Sequence, residues 1–136
     1  MKIKSTIAGG FAAFVVSIGI VGLGAVPAYA GINDCPKGYL CIWKDAAYIT
    51  DGKEKAYVKF QYYIPDYGSY NYEGTNIGST NTATSIYNNG RYDTAYMYQN
   101  TYKRDRLFTI PAGNANWSLL GYLGDNIESG YYSTYN

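Results

Sequence analysis

Two cysteines, Cys35 and Cys41, are the residues best suited to chemistry, and five residues separate them in "CPKGYLC". Two thiols at this spacing can form a disulfide, supply a nucleophile or help hold a metal. A nucleophilic thiol needs a base to draw off its proton, most often histidine. This chain has 0 histidines. Zinc sites use more Cys and His ligands than the chain owns. The choice among the three therefore turns on whether the chain reaches an oxidising compartment.

Residues 1–30 read as an export signal. Lys2 and Lys4 precede a charge-free apolar run from Ile7 to Val26, then Pro27 and an Ala28-Tyr29-Ala30 cleavage pattern. The competing reading is a membrane anchor, because the run is about 20 residues long. No basic stop-transfer cluster follows it, so cleavage is expected. The expected product is a secreted, extracellular domain of residues 31–136 with no membrane attachment. Export favours a Cys35–Cys41 disulfide that pins the N-terminal segment to the first strand.

The other chemical candidates are carboxylates. Asp45, Asp51, Asp66, Glu73, Asp93, Asp105, Asp125 and Glu128 could each be nominated for acid–base work. Their spacing favours no pair, so no catalytic residue, enzyme activity or cofactor is expected. Without Lys2 and Lys4, the 11 basic residues become 9 against 10 acidic ones, a net charge of −1. That balance argues against nucleic acid as a partner. The one basic cluster, Lys103-Arg104-Asp105-Arg106, reads as a solvated loop.

The elements that must position these residues are strands. Of the 18 tyrosines only Tyr29 precedes residue 31, while Val58 is the sole valine after it. A core this poor in aliphatic carbon has to use phenol rings, which suit strands. Residues 57–64, "YVKFQYYI", alternate as one half-buried strand with Val58, Phe60, Tyr62 and Ile64 inward. Further strands are expected at 39–43, 84–88, 94–99, 106–110, 117–123 and 131–135, with a one-turn helix as the alternative near 117–123. Asn89-Gly90 marks a tight turn. Residues 66–82 form a long Gly/Ser/Asn/Tyr segment, a loop or a twisted arm. Within it "YGSYNY" (67–72) suggests exposed rings for stacking on sugars or other aromatics.

The chain also repeats itself weakly. Trp43 followed by Tyr48, then "NTATSIY" (81–87), parallels Tyr98 followed by Tyr102, then "DNIESGY" (125–131). Asn81 corresponds to Asp125, Ser85 to Ser129 and Tyr87 to Tyr131. Two such units packed face to face would remove both apolar faces from water.

"WKDAAY" (43–48) resembles the aromatic-x4-aromatic hairpin signature of the βγ-crystallin fold, and "NTATSIYN" (81–88) resembles its Asn/Asp-x-x-Ser/Thr-Ser stretch. The resemblance implies an all-β, βγ-crystallin-like Greek-key β-sandwich of two similar four-stranded motifs. Where that signature has Gly, this chain has Thr50, with Gly52 close by. The opening "CPKGYLCIWKDAAY" is similar to the start of small secreted bacterial inhibitors of the Streptomyces metalloproteinase inhibitor family. That likeness implies a peptidase inhibitor blocking an extracellular protease, by resemblance a metalloprotease, through a surface loop. Segments 66–80 and 100–105 are the candidates, with the inhibitory residues themselves unassigned. The family's best-studied inhibitor sets its reactive bond near a second disulfide; this chain has only Cys35 and Cys41.

Two alternatives stand beside it: a tyrosine-rich cell-envelope or carbohydrate-binding module, and a βγ-crystallin-like toxin or structural protein. The fold's calcium version asks for two successive Asn/Asp residues. Here the positions are Thr80-Asn81 and Gly124-Asp125, so no metal site is expected. Ser85 and Ser129 are expected to hydrogen-bond within folded hairpins.

Overall fold

Short aromatic and β-branched runs become eight strands in the computed structural model, which describes residues 30–50, 56–119 and 121–136. The export-signal reading and Gly52 lie outside the described residues. In chain order the strands are β1 (Leu40–Trp43), β2 (Tyr57–Phe60), β3 (Tyr63–Ile64), β4 (Ser85–Asn88), β5 (Ala95–Asn100), β6 (Arg104–Ile110), β7 (Ala115–Asn116) and β8 (Ser129–Tyr132).

They form two antiparallel sheets, ordered β2-β1-β4-β7 and β3-β8-β5-β6. Each half of the chain gives three strands to one sheet and its third strand to the other. β3 crosses to the sheet of the second half, and β7 crosses back. The two units are therefore interlocked, whereas the repeat alone suggested separate sheets laid face to face. The exchange makes one half's edge strand depend on the other half being folded.

That crossing breaks the strand expected over 57–64. The chain bends at Gln61 and Tyr62 and passes from one sheet to the other. Val58 and Phe60 stay buried as their spacing requires and Ile64 is buried on the other sheet, but Tyr62 turns out to solvent and Tyr57 is buried on the opposite face. Two other expectations need correction. Residues 117–119 are irregular and Gly121–Asn126 is 3-10 helical. Strand β8 ends at Tyr132, and Ser133–Tyr135 is a 3-10 turn.

The main core lies between the sheets and includes Leu40, Ile42, Phe60, Ile86, Met97 and Tyr132. A second cluster of Cys35, Cys41, Trp43, Tyr48 and Tyr57 covers the outer face of β1. All four residues of β1 are therefore buried, two on each face. The Cys35–Cys41 disulfide forms as expected and holds the short helix α1 (Ala30–Asp34) near this outer cluster. Trp43 meets Tyr48 and Tyr57 edge-on, with centroids at 5.2 and 5.6 Å. That geometry suits the ring quadrupoles and adds about 1 kcal/mol per pair beyond area burial.

Asn88 joins the halves at the end of β4. Its Nδ2 donates to the carbonyls of Asp93 and Ile110, both at 2.9 Å. Its Oδ1 accepts from Gly90 N at 2.9 Å and Tyr132 OH at 3.0 Å. A fully buried amide with all four positions used is stabilising, because none of its polar atoms is left without a partner.

Candidate functional site

The signature hairpins are the first place where sequence and geometry meet. Ser85 pairs with Trp43 across the sheet, and Ser129 pairs with Tyr98. Ser85 Oγ donates to the Asp45 carbonyl at 2.7 Å and accepts from Tyr48 N at 3.2 Å. Ser129 Oγ donates to the Asn100 carbonyl at 2.7 Å. Both serines thus stitch folded hairpins, as expected. In the first hairpin Ala47 and Tyr48 have φ of 55° and 59°; in the second, Tyr102 and Lys103 have 56° and 62°. Ala47 N donates to Trp117 O and Tyr102 N to Pro65 O, so these two residues are equivalent. The structural counterpart of Tyr48 is therefore Lys103 and not Tyr102. The second hairpin keeps the x4 spacing but puts a cation in the aromatic position.

The positions that would hold calcium in the fold's metal-binding version carry other bonds. Asn81 Nδ2 donates to Glu128 Oε1 at 2.9 Å, linking the halves. A hard dication needs six or more oxygens, several of them charged. Of the two carboxylates in this stretch, Asp125 and Glu128, the second is already met by an amide N–H. Among the described residues no three His, Cys, Asp or Glu side chains gather.

The nominated carboxylates are dispersed. Asp66 accepts from Gly68 N, Asp45 pairs with Lys44, and Glu73 pairs with Lys59. Asp93 accepts from the hydroxyls of Ser133 and Thr134 at 2.8 and 2.6 Å. Those hydroxyls hold its carboxyl below the usual aspartate range. Asp51 lies outside the described residues.

The arm over 66–80 is built from inside. Tyr67 and Tyr72 are fully buried, so "YGSYNY" is not the exposed ring cluster that its composition suggested. Ser79 is also buried, and its Oγ lies 3.1 and 3.0 Å from the carbonyls of Tyr67 and Tyr70. Asn71 and Gly78 form a β-bridge, and Tyr72 N donates to Ile77 O at 3.0 Å. The tip, Glu73–Ile77, turns at Gly74 with φ of 74°, where glycine carries no steric penalty. Burial pushes the Tyr72 phenol up to about 12, and that of Tyr67 well above its usual value. Segment 100–105 is different. It is the β5–β6 turn, with only Thr101–Lys103 between strands.

The exposed tyrosines collect elsewhere. Gln61, Tyr62, Arg91, Tyr92, Asp93 and Tyr135 line a cleft of about 310 Å³ beside β3 and β8. Tyr62 is 51% exposed and Tyr92 91%. The Tyr62 and Tyr135 rings meet edge-on at 5.2 Å. No composition signal marked this cleft, because its residues come from four separated segments. A smaller cleft of about 130 Å³ is lined in part by Lys44, Ile49, Ala56 and Ile77.

No protein-family model and no curated protein matches the chain. Solved structures do. A βγ-crystallin domain, from work on how the eye-lens fold evolved, superposes at a TM-score of 0.56 with 16% identity, covering 73% of this chain and 89% of that one. A βγ-crystallin from Ciona intestinalis superposes at 0.51 with 13% identity, covering 71% of this chain and 100% of that one. With the exchanged third strands and the paired serine stitches, these likenesses establish that the chain has the βγ-crystallin fold.

Proposed function

We propose that the chain is an exported peptidase inhibitor that occludes an extracellular protease, by resemblance a metalloprotease, with the arm over 66–80. The observation that carries this reading is how the arm is held. An inhibitory segment must be ordered before it binds, since ordering it on binding costs affinity. In the absence of a second disulfide, Tyr67, Tyr72 and Ser79 anchor the arm from within and leave Thr75, Asn76 and Ile77 at its tip. The Cys35–Cys41 clamp that carries the resemblance forms as the opening motif implies. We prefer the arm to the second candidate segment, 100–105, in which only Thr101–Lys103 lie outside strands.

The test is a panel of a thermolysin-like and a subtilisin-like protease titrated with residues 31–136. Inhibition of either at micromolar concentration, lost when Asn76 and Ile77 are both replaced by Gly, supports the reading. Full protease activity throughout the titration removes it.

A further inference from the structure

The pseudo-twofold makes the outer faces of the two sheets comparable, and they differ in one respect. On the first sheet the outer residues Cys41, Trp43 and Tyr57 are buried beneath the disulfide and the N-terminal segment. On the second sheet the matching positions of β5 and β6 are Tyr96, Tyr98 and Arg106, from the pairings Tyr96–Tyr131 and Tyr98–Arg106. Tyr98 and Tyr131 are buried there too, but Tyr96 is half-buried and Arg106 is exposed, so this face is only partly covered. Tyr63, Tyr131 and Tyr96 stand in register across three strands. Tyr63 and Tyr131 stack at 5.4 Å and 12°. Tyr135 sits against Tyr63 at 6.1 Å and continues this row into the Tyr62–Tyr92 cleft.

The cations on this face have a consistent place. Lys103 Nζ lies 4.7 Å from the Tyr131 ring and donates to the Tyr135 carbonyl at 2.6 Å. The Arg106 guanidinium lies 5.4 Å from the Tyr96 ring. Arg91 lines the cleft at the other end. The ion pairs among the described residues are Lys44–Asp45 and Lys59–Glu73, neither of them on this face. Of the nearby carboxylates, Asp93 is engaged by two hydroxyls and Asp105 by the Asn100 amide. Arg91, Lys103 and Arg106 are left without a carboxylate among the described residues.

We propose that this face, from the Tyr62–Tyr92–Tyr135 cleft to Lys103 and Arg106, binds an acidic polysaccharide. Phenol rings offer flat apolar surface to the C–H faces of pyranose rings, while their hydroxyls remain free to bond. Arg and Lys take the carboxylate or phosphate groups, Arg in two-point fashion. A nucleic acid fits less well, because a chain of net charge −1 after residue 30 lacks the broad basic surface that phosphate neutralisation needs. The site is separate from the arm, so protease inhibition and glycan binding can fail independently.

The experiment is retention of residues 31–136 on immobilised polymers. One arm uses polygalacturonate, a second phosphorylated cellulose, a third neutral cellulose and a fourth single-stranded DNA. Retention on at least one of the two acidic glycopolymers, well above that on cellulose and DNA, is expected, and the stronger arm identifies carboxylate or phosphate as the recognised group. Lys103→Gln with Arg106→Gln weakens it about tenfold, the equivalent of one charge-assisted bond. Tyr62→Ala with Tyr135→Ala weakens it similarly, which plain ion exchange would not show. Lys44→Gln, at a cation elsewhere, leaves it unchanged, and melting temperatures confirm that each variant folds. Equal retention on cellulose, preference for DNA, absence of retention, or indifference to the tyrosine pair overturns the proposal.

Discussion

Ser85 and Ser129 occupy equivalent points in the two halves, and each hydroxyl donates 2.7 Å to the carbonyl two residues beyond its cross-strand aromatic partner. Ser85 does more, since it also accepts from Tyr48 N. Replacing Ser85 by Ala therefore leaves two backbone groups unpaired, and replacing Ser129 leaves one. We expect losses of about 3 and about 1.5 kcal/mol respectively. Urea midpoints measure both. A larger loss at Ser129 would contradict the bond count.

Asn88 predicts a stronger effect. Asn88→Ala strands Asp93 O, Ile110 O, Gly90 N and the Tyr132 hydroxyl together. The expected destabilisation is about 3–5 kcal/mol, at the upper end for a single side chain. The slope of stability against urea should stay that of the parent chain. A loss below 1 kcal/mol, on the order of one surface substitution, would mean that the network is dispensable.

Tyr67 predicts the opposite sign. Its hydroxyl is buried and has no hydrogen-bond partner among the described residues. Tyr67→Phe keeps the ring and removes the unpaired group, so stability should rise by about 1 kcal/mol. Calorimetry reads this as a higher melting temperature. A fall would show that the hydroxyl has a partner after all.

Alkaline pH should unfold the protein through the same residues. The folded Tyr72 phenol titrates at about 12 against 10.0 for an ordinary tyrosine, because burial disfavours the phenolate. A folded value raised in this way gives stability that is whole below pH 10 and lost as pH climbs through the folded value. The span corresponds to about 2–3 kcal/mol from Tyr72. Tyr67 and Tyr132 shift in the same direction. Tyrosinate absorbance and circular dichroism should change together above pH 10, and Tyr72→Phe should move the transition upward. Tyrosines titrating fully while the circular dichroism stays native would refute it.

Much of the first sheet could be read directly from residue types. The Cys35–Cys41 pair has one possible connectivity, so an oxidised chain leaves no choice of partner. Val58 and Phe60 are inward because apolar residues two apart share a face of a strand. The serine stitches were legible because a short hydroxyl at that place in a motif has few other partners. The error over Tyr62 has a local cause. Strict alternation continues across Gln61 and Tyr62, and nothing in the residue types marks where a chain leaves one sheet for the other.

The clefts and faces were not legible for a related reason. "YGSYNY" and the run around Tyr62 have similar composition, yet Tyr67 and Tyr72 are buried while Tyr62 and Tyr92 face solvent. A phenol ring is amphipathic enough for either place, so its position depends on what packs against it. Likewise, only the hydrogen-bond pattern matched Lys103 to Tyr48, because the aromatic Tyr102 one residue earlier is the more obvious partner by type.

By itself, then, the sequence determined that the chain is built of short strands, that Cys35 and Cys41 pair and that it carries two similar stretches, all of which are read from residue types close together in the chain. Tertiary structure alone decided that the halves exchange their third strands, that one outer face is sealed beneath the disulfide, and that the other presents tyrosines and unpaired cations. Those features are set by contacts between segments tens of residues apart, and local residue patterns carry no record of them.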